Sequence, residues 1–310
     1  MRLAPILTIA LICAPAAGWA QSDTTVLFIG NSFTYGHGSP VRFYRPDTVT
    51  DLNSAGIGGV PALFESFTAQ VGLDYDVHVE TQPGSGLDFH LENRLGTIGR
   101  KAWDAVVMHG QSTLDFAAPG DPGKLVDTSG RLAEFLKVGS PAVEVHLMST
   151  WSRADQTYQP EGAWFGKPID AMARDVRTGY DQAAKASDAI TSVIPVGEAW
   201  ARAMETGVAD SNPYDGTAFG TIDLWTFDHY HASTYGYYLE ALVVFGRLTG
   251  RDPRSLGDHE CSAFELGLSR QQTSALQQVA FDTLASEGGL TPAPFVLDKP
   301  ASLARCVDRR

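Results

Sequence analysis

Positive charge is what this chain has least of. Lys and Arg number 23 against 36 Asp and Glu, leaving a net charge of −13. Such a chain is repelled by polyanions, so neither nucleic acid nor an anionic membrane surface is expected as a partner. Cysteine is scarce too, at three in 310 residues. Neither Cys-x-x-Cys nor His-Glu-x-x-His occurs, so no recognisable zinc-ligand spacing is present and no metal or cofactor is expected. A Gly-x-Ser-x-Gly motif is also missing, which excludes the ordinary nucleophile elbow of α/β-hydrolases. No repeat, low-complexity tract or charged linker divides the chain. The one long apolar stretch, 3–16, is broken by Pro5 and Pro15 and is too short to span a membrane convincingly.

That stretch has another reading. Arg2 supplies a positive start, the apolar run follows, and Gly18-Trp19-Ala20 places small residues where a signal peptidase cuts. The expectation is export with cleavage after Ala20, to the periplasm or beyond the cell, with no membrane anchor. Cys13 leaves with the leader, so Cys261 and Cys306 remain. In an oxidising compartment two lone cysteines are expected to pair.

Apolar runs at 25–29, 76–81, 105–109, 143–148 and 192–196 read as five strands. Between and after them, apolar residues at helical spacing mark helices over 61–71, 124–138, 170–186, 197–205, 235–248 and 271–286. Strands apolar on both faces, alternating with helices, imply a mainly parallel sheet in a three-layer α/β/α sandwich. Ligands bind such sheets beyond the carboxyl ends of the strands, so those ends are where chemistry is sought.

Beyond the first strand lies Gly30-Asn31-Ser32. Gly30 allows a sharp turn, and Ser32 opens the next element, where free N–H groups face outward. An ordinary helix-capping serine would stand in the same place. The second strand ends in Gln82-Pro83-Gly84-Ser85-Gly86, whose glycines could form a turn or let an N–H approach a ligand. The third ends in His109-Gly110-Gln111-Ser112. After the fourth comes a segment carrying Trp151, Trp164 and Phe165, rings that could stack on a sugar or simply anchor the core. Near the last long helix stands Asp228-His229-Tyr230-His231. Asp228 and His231, three apart, can meet across one turn, with Asp228 accepting from Nδ1 and leaving Nε2 as a base. Capping of the helix by Asp228 is the bland alternative. His229 would point elsewhere, and a metal cluster with Asp228 and His231 lacks a fourth ligand.

Together these blocks resemble the SGNH (GDSL-type) hydrolases. The resemblance covers residues 25–249 and rests on Gly30-Asn31-Ser32 near the mature N-terminus and Asp228-x-x-His231 near the end of the domain. It implies a flavodoxin-like SGNH fold over 21–250, a helical extension over 251–310, and a triad of Ser32, Asp228 and His231. It also implies an oxyanion hole from the N–H of Ser32, the N–H of Gly84 (or Gly86), and a side-chain amide. The family carries an asparagine where this chain has Gln111. The expected activity is hydrolysis of carboxylic esters through an acyl-enzyme, without a cofactor. Among substrates, the export, the acidity and the aromatic-bearing loops at 151–165 and 219–227 suit an uncharged oligosaccharide stacked on rings, so removal of O-acetyl groups from carbohydrate is expected. Lipase, thioesterase and aryl esterase activities of the same family are alternatives. So is a non-catalytic glycan-binding protein on the same fold.

Overall fold

A computed structural model describes residues 23–290 and Cys306. The expected leader at 1–20 lies outside the described residues. Six strands form one sheet: β1 (Thr24–Gly30), β2 (Thr50–Asp51), β3 (Tyr75–Thr81), β4 (Ala105–Met108), β5 (Glu144–Ser149) and β6 (Ser192–Pro195). Their order is β2-β3-β1-β4-β5-β6, and every pairing is parallel.

The expected count of five strands is corrected to six. The addition is β2, two residues that pair Thr50 with His78 and Asp51 with Val79 at the sheet edge. A two-residue edge strand has no periodicity to read. Without it the order is that of flavodoxin-like sheets, in which the chain leaves β1 for one side and later crosses back to the other. The loops after β1 and β4 therefore diverge at that switch point, where sheets of this order place their ligand sites.

Alternation along the strands splits the core in two. Val26 and Phe28 of β1 face one cluster, while Leu27 and Ile29 face the other. Eight helices position the site or cover the sheet: α1 (Ser32–Tyr35), α2 (Gly59–Gln70), α3 (Leu87–Asn93), α4 (Gly123–Gly139), α5 (Asp170–Ala186), α6 (Val196–Glu205), α7 (Thr234–Thr249) and α8 (Arg270–Ser286). The first face takes α2, α6, α7 and α8, through Leu63, Phe67, Leu239, Leu242 and Leu276. The second takes α3, α4 and α5, through Leu91, Leu132, Met172 and Tyr180.

The C-terminal helix α8 buries Leu276, Val279, Ala280 and Leu284 in the same cluster as α7. Its start is held by a capping box between Ser269 and Gln272. A disulfide joins Cys261 to Cys306 with their Cα atoms 5.4 Å apart.

Candidate active site

The turn after β1 is built around a glycine beside which a side chain has no room. A Cβ on Gly30 would overlap Thr34 Oγ1 and His109 Nε2. Those two atoms lie 2.8 Å apart, and His109 Nδ1 sits 3.0 Å from the Gly110 carbonyl. Nδ1 thus donates to that carbonyl and Nε2 accepts from Thr34, a neutral tautomer. Burial of the ring keeps His109 neutral by pulling its pKa down to about 4.

Asn31 caps α1: its side-chain oxygen accepts from Phe33 N at 3.0 Å. Its amide nitrogen donates to Ser85 O at 2.8 Å and to Gly110 O at 3.3 Å. One side chain therefore ties together the loops beyond β1, β3 and β4. Ser32 is the first residue of α1 and is buried. The helix stops after one turn because Gly36 is left-handed (φ 80°) and returns its N–H to Ser32 O. Tyr237 Oη of α7 donates to Ser32 O at 3.2 Å and to His37 O at 3.1 Å, pinning both ends of the turn.

Asp228 and His231 meet as the spacing suggested, but in a loop ahead of the helix. Trp225 and Ala232 form an isolated antiparallel bridge, and Thr226 N donates to His231 O at 2.8 Å. Inside this turn, Asp228 Oδ1 accepts from Tyr230 N at 3.0 Å and His231 N at 2.9 Å, and Oδ2 lies 2.6 Å from His231 Nδ1. The cap of α7 is Ser233, so Asp228 does not cap that helix. Burial would raise the Asp228 pKa, but hydrogen bonds from His231 and the two amides outweigh it and hold the carboxyl below its usual value.

His231 Nε2 is buried and makes no hydrogen bond among the described residues. With Nδ1–H given to Asp228, that nitrogen is a free acceptor. Burial depresses the imidazole pKa, Asp228 raises it, and the charges of His37 and Arg153 lower it again; the net is a downward shift. The His231 ring lies 5.7 Å from that of Phe33, the neighbour of Ser32, and 4.3 Å from that of His37. The two chain segments thus converge at the switch point. His229 stands apart at φ 55°, its ring 4.2 Å from Tyr214.

Gln111 reaches the β3 loop, where its amide donates to Gly84 O at 2.5 Å, leaving the second N–H of that amide. Gly84 has φ +70°, a conformation that glycine adopts freely. Neither Gly84 nor Gly86 gives its N–H to a protein group among the described residues. Both remain available as donors beside Gln111, whose Cγ would lie 3.4 Å from a Cβ on Gly86.

Of the two readings open for Trp151 and Trp164, sugar platform or core anchor, the structure gives the anchor. Trp151, Trp164 and Trp225 are all buried. Phe33, Trp151 and Trp200 form a continuous stack, with centroids 4.0 and 4.6 Å apart. The nucleophile turn thus rests on an aromatic column. The rings that the segments 151–165 and 219–227 do expose are Phe165, Phe219 and Phe227. Burial of an indole depends on the tertiary partners, which a loop sequence does not reveal.

His37 was not singled out by the sequence. It joins Asp228 and His231 in a group whose ligand-type atoms all lie within 4.8 Å of one another. The Asp228 carboxylate in this group already accepts three hydrogen bonds, all from its own turn, two of them from His231.

No family model and no curated protein matches the sequence. Solved structures do. A DUF4886 family protein from Bacteroides uniformis superposes with a TM-score of 0.60 at 17% identity, covering 91% of this chain and 99% of its own. A candidate GDSL-like lipase from Parabacteroides merdae gives a TM-score of 0.51 at 16% identity, with 74% and 96% covered. A candidate SGNH hydrolase from Slackia heliotrinireducens gives 0.48 at 22%, with 73% and 99% covered. The class that the architecture defines is a parallel-sheet α/β/α sandwich with its switch point between β1 and β4. Within that class the fold is the SGNH (GDSL-type) hydrolase fold.

Proposed function

We propose that this chain is a serine esterase that works through an acyl-enzyme. The observation that carries the reading is the Asp228–His231 contact of 2.6 Å, which leaves a buried, unpartnered Nε2 beside the Ser32 turn. In this reading His231 Nε2 takes the Ser32 hydroxyl proton as Oγ attacks the ester carbonyl, then gives it to the departing alkoxide. Asp228 fixes the tautomer and stabilises the imidazolium. The oxyanion is met by the N–H of Ser32 and of Gly84 or Gly86, with the second N–H of Gln111 as the side-chain donor. Water then attacks the acyl group by the same proton path and releases the acid.

For substrate we favour O-acetyl groups on carbohydrate, handled outside the cytoplasm. The exposed rings of Phe165, Phe219 and Phe227 support a sugar ligand, and the Cys261–Cys306 disulfide supports an oxidising compartment. The deciding experiment measures hydrolysis of 4-nitrophenyl acetate and acetate release from acetylated oligosaccharides by the wild type and by Ser32→Ala. Loss of turnover in a folded variant is expected; an unchanged rate would sink the assignment. A preference for long acyl chains would overturn the carbohydrate reading while leaving the esterase standing.

A further inference from the structure

Behind the Ser32 turn, on the β2/β3 side, lies a cavity of about 370 Å³, within the size range of small-ligand sites. Its lining includes Tyr35, Arg42, Gln82, Pro83 and Arg94 and contains no Asp or Glu, in a chain of net charge −13. The Arg94 Nε is bound to Glu80 Oε1 at 3.1 Å, so its charge is partly answered. That of Arg42 is not. Its Nε is buried without a hydrogen-bond partner, and its side chain enters no ion pair among the described residues. The guanidinium is held between two rings, 5.0 Å from the Tyr35 centroid and 5.3 Å from that of Phe43.

Tyr35 connects this cavity to the candidate active site. It stands three residues after Ser32, with its ring against Arg42 and its hydroxyl 3.4 Å from His37 Nδ1. His37 in turn packs on His231. On the other side, Gln82 and Pro83 run directly into Gly84. The cavity is thus flanked by the two segments that carry the candidate nucleophile and an oxyanion donor.

A partly buried guanidinium whose charge no carboxylate answers favours an incoming anion, and its planar fork matches a carboxylate. We propose that this cavity is a carboxylate-binding subsite, with Arg42 as its anchor, that selects esters whose acyl or alcohol part carries an acid group. A uronic-acid residue of a glycan would bring the carboxylate on the alcohol side; the half-ester of a dicarboxylic acid would bring it on the acyl side. The inference deepens the esterase reading and rests on it for the word "selects". The cavity's affinity for a carboxylate can be measured without turnover.

Two measurements test it. Titrating the Ser32→Ala protein with galacturonic acid and with galactose should show at least about tenfold tighter binding of the acid. Adding Arg42→Gln to that protein should remove the difference. In the Ser32-intact enzyme, the ratio of kcat/KM for an acidic ester to that for its neutral counterpart should fall about tenfold with Arg42→Gln. The pairs are acetylated galacturonate with acetylated galactose, and the 4-nitrophenyl half-ester of glutaric acid with 4-nitrophenyl valerate. The pair that responds identifies the side on which the carboxylate sits. Equal binding of acid and neutral sugar, together with an unchanged ratio in both pairs, would overturn the proposal. So would a preference that survives Arg42→Gln, in a variant whose thermal melt shows it folded. If the wild type hydrolyses no ester at all, the esterase reading fails, and the titration alone decides the cavity.

Discussion

The amide nitrogen of Asn31 lies 2.8 Å from the Ser85 carbonyl, joining the loop that carries Ser32 to the loop that carries Gly84 and Gly86. The same side chain accepts from Phe33 N and reaches Gly110 O. It therefore sets the distance between the candidate nucleophile and the candidate oxyanion donors on two neighbouring strands. A cap of this kind is worth about 1 kcal/mol, and a buried carbonyl left unpaired costs a further ~1–3 kcal/mol.

Asn31→Ala is therefore expected to lower stability by about 2–4 kcal/mol in urea unfolding. It should also cut kcat far more than it raises KM, because positioning errors tell mainly in the transition state. A variant with wild-type kcat would show that the three loops hold their register without Asn31.

The pH dependence should report the environment of His231. Its pKa is shifted below the ordinary histidine value of 6.5, first by burial and then by the charges of His37 and Arg153, against the raising effect of Asp228. A base works when deprotonated, so kcat/KM should rise with pH through a midpoint below 6.5 and then level off. Arg153 stacks on Tyr230 at 3.6 Å and pairs with Asp155. Arg153→Gln removes a positive charge that disfavours the imidazolium, so the midpoint should move to higher pH. Asp228→Asn should lower kcat by about 10⁴-fold, because the asparagine favours the wrong tautomer. A midpoint that ignores Arg153→Gln would argue that another group limits the rate.

Much of this arrangement was legible from residues alone, for definite reasons. Five strands and their helices showed because buried parallel strands and amphipathic helices leave periodic apolar signals; the helix expected over 170–186 is observed as Asp170–Ala186. The contact of Asp228 with His231 was legible because side chains three residues apart meet across one turn, and Ser32 stands after the first strand where the Gly30 break places it. The edge strand Thr50–Asp51 was not, since two residues have no period. His37 was not, because its place beside His231 depends on the left-handed turn at Gly36. Nor was the Arg42 cavity, whose walls come from segments scattered over some sixty residues. The burial of Trp151 and Trp225 depended on the stack and on carbonyl partners supplied by distant loops.

The amide of Gln111 donates to the Gly84 carbonyl and keeps a second N–H. If that N–H meets the oxyanion, Gln111→Ala should reduce kcat by about 10²-fold, near the effect of losing one donor, with KM little changed. Measured on 4-nitrophenyl acetate, a loss confined to KM would instead make Gln111 a ground-state contact.

The Cys261–Cys306 bond closes a loop of 45 residues in sequence separation. Chain-entropy reasoning assigns such a closure about 4 kcal/mol. The Cys261→Ser, Cys306→Ser double variant is expected to melt about 6–8 °C lower than the oxidised protein, as should the wild type after reduction. Thiol titration of denatured protein made without residues 1–20, and so without Cys13, gives an independent check, since two free thiols would show that the bond does not form.

Glu240 makes the sharpest claim on stability. It sits in the middle of α7, 1% exposed, with no hydrogen bond to its Oε2 among the described residues. Burial alone raises its pKa well above the ordinary carboxyl value of 4.5. A carboxyl raised in the fold binds a proton that the unfolded chain gives up, so the folded state holds the excess proton between the two pKa values. Stability from this group is then fully present below about pH 4.5 and declines as pH rises toward the folded value, at up to about 1.4 kcal/mol per pH unit. Glu240→Gln keeps the shape and removes the titration. Its unfolding free energy, followed by urea titration from pH 4.5 to 8, should fall less steeply than that of the wild type, so that the variant gains relative stability toward the alkaline end. Parallel slopes in the two proteins would mean that the carboxyl ionises inside the fold against a counter-charge, and the neutral-carboxyl assignment would be wrong.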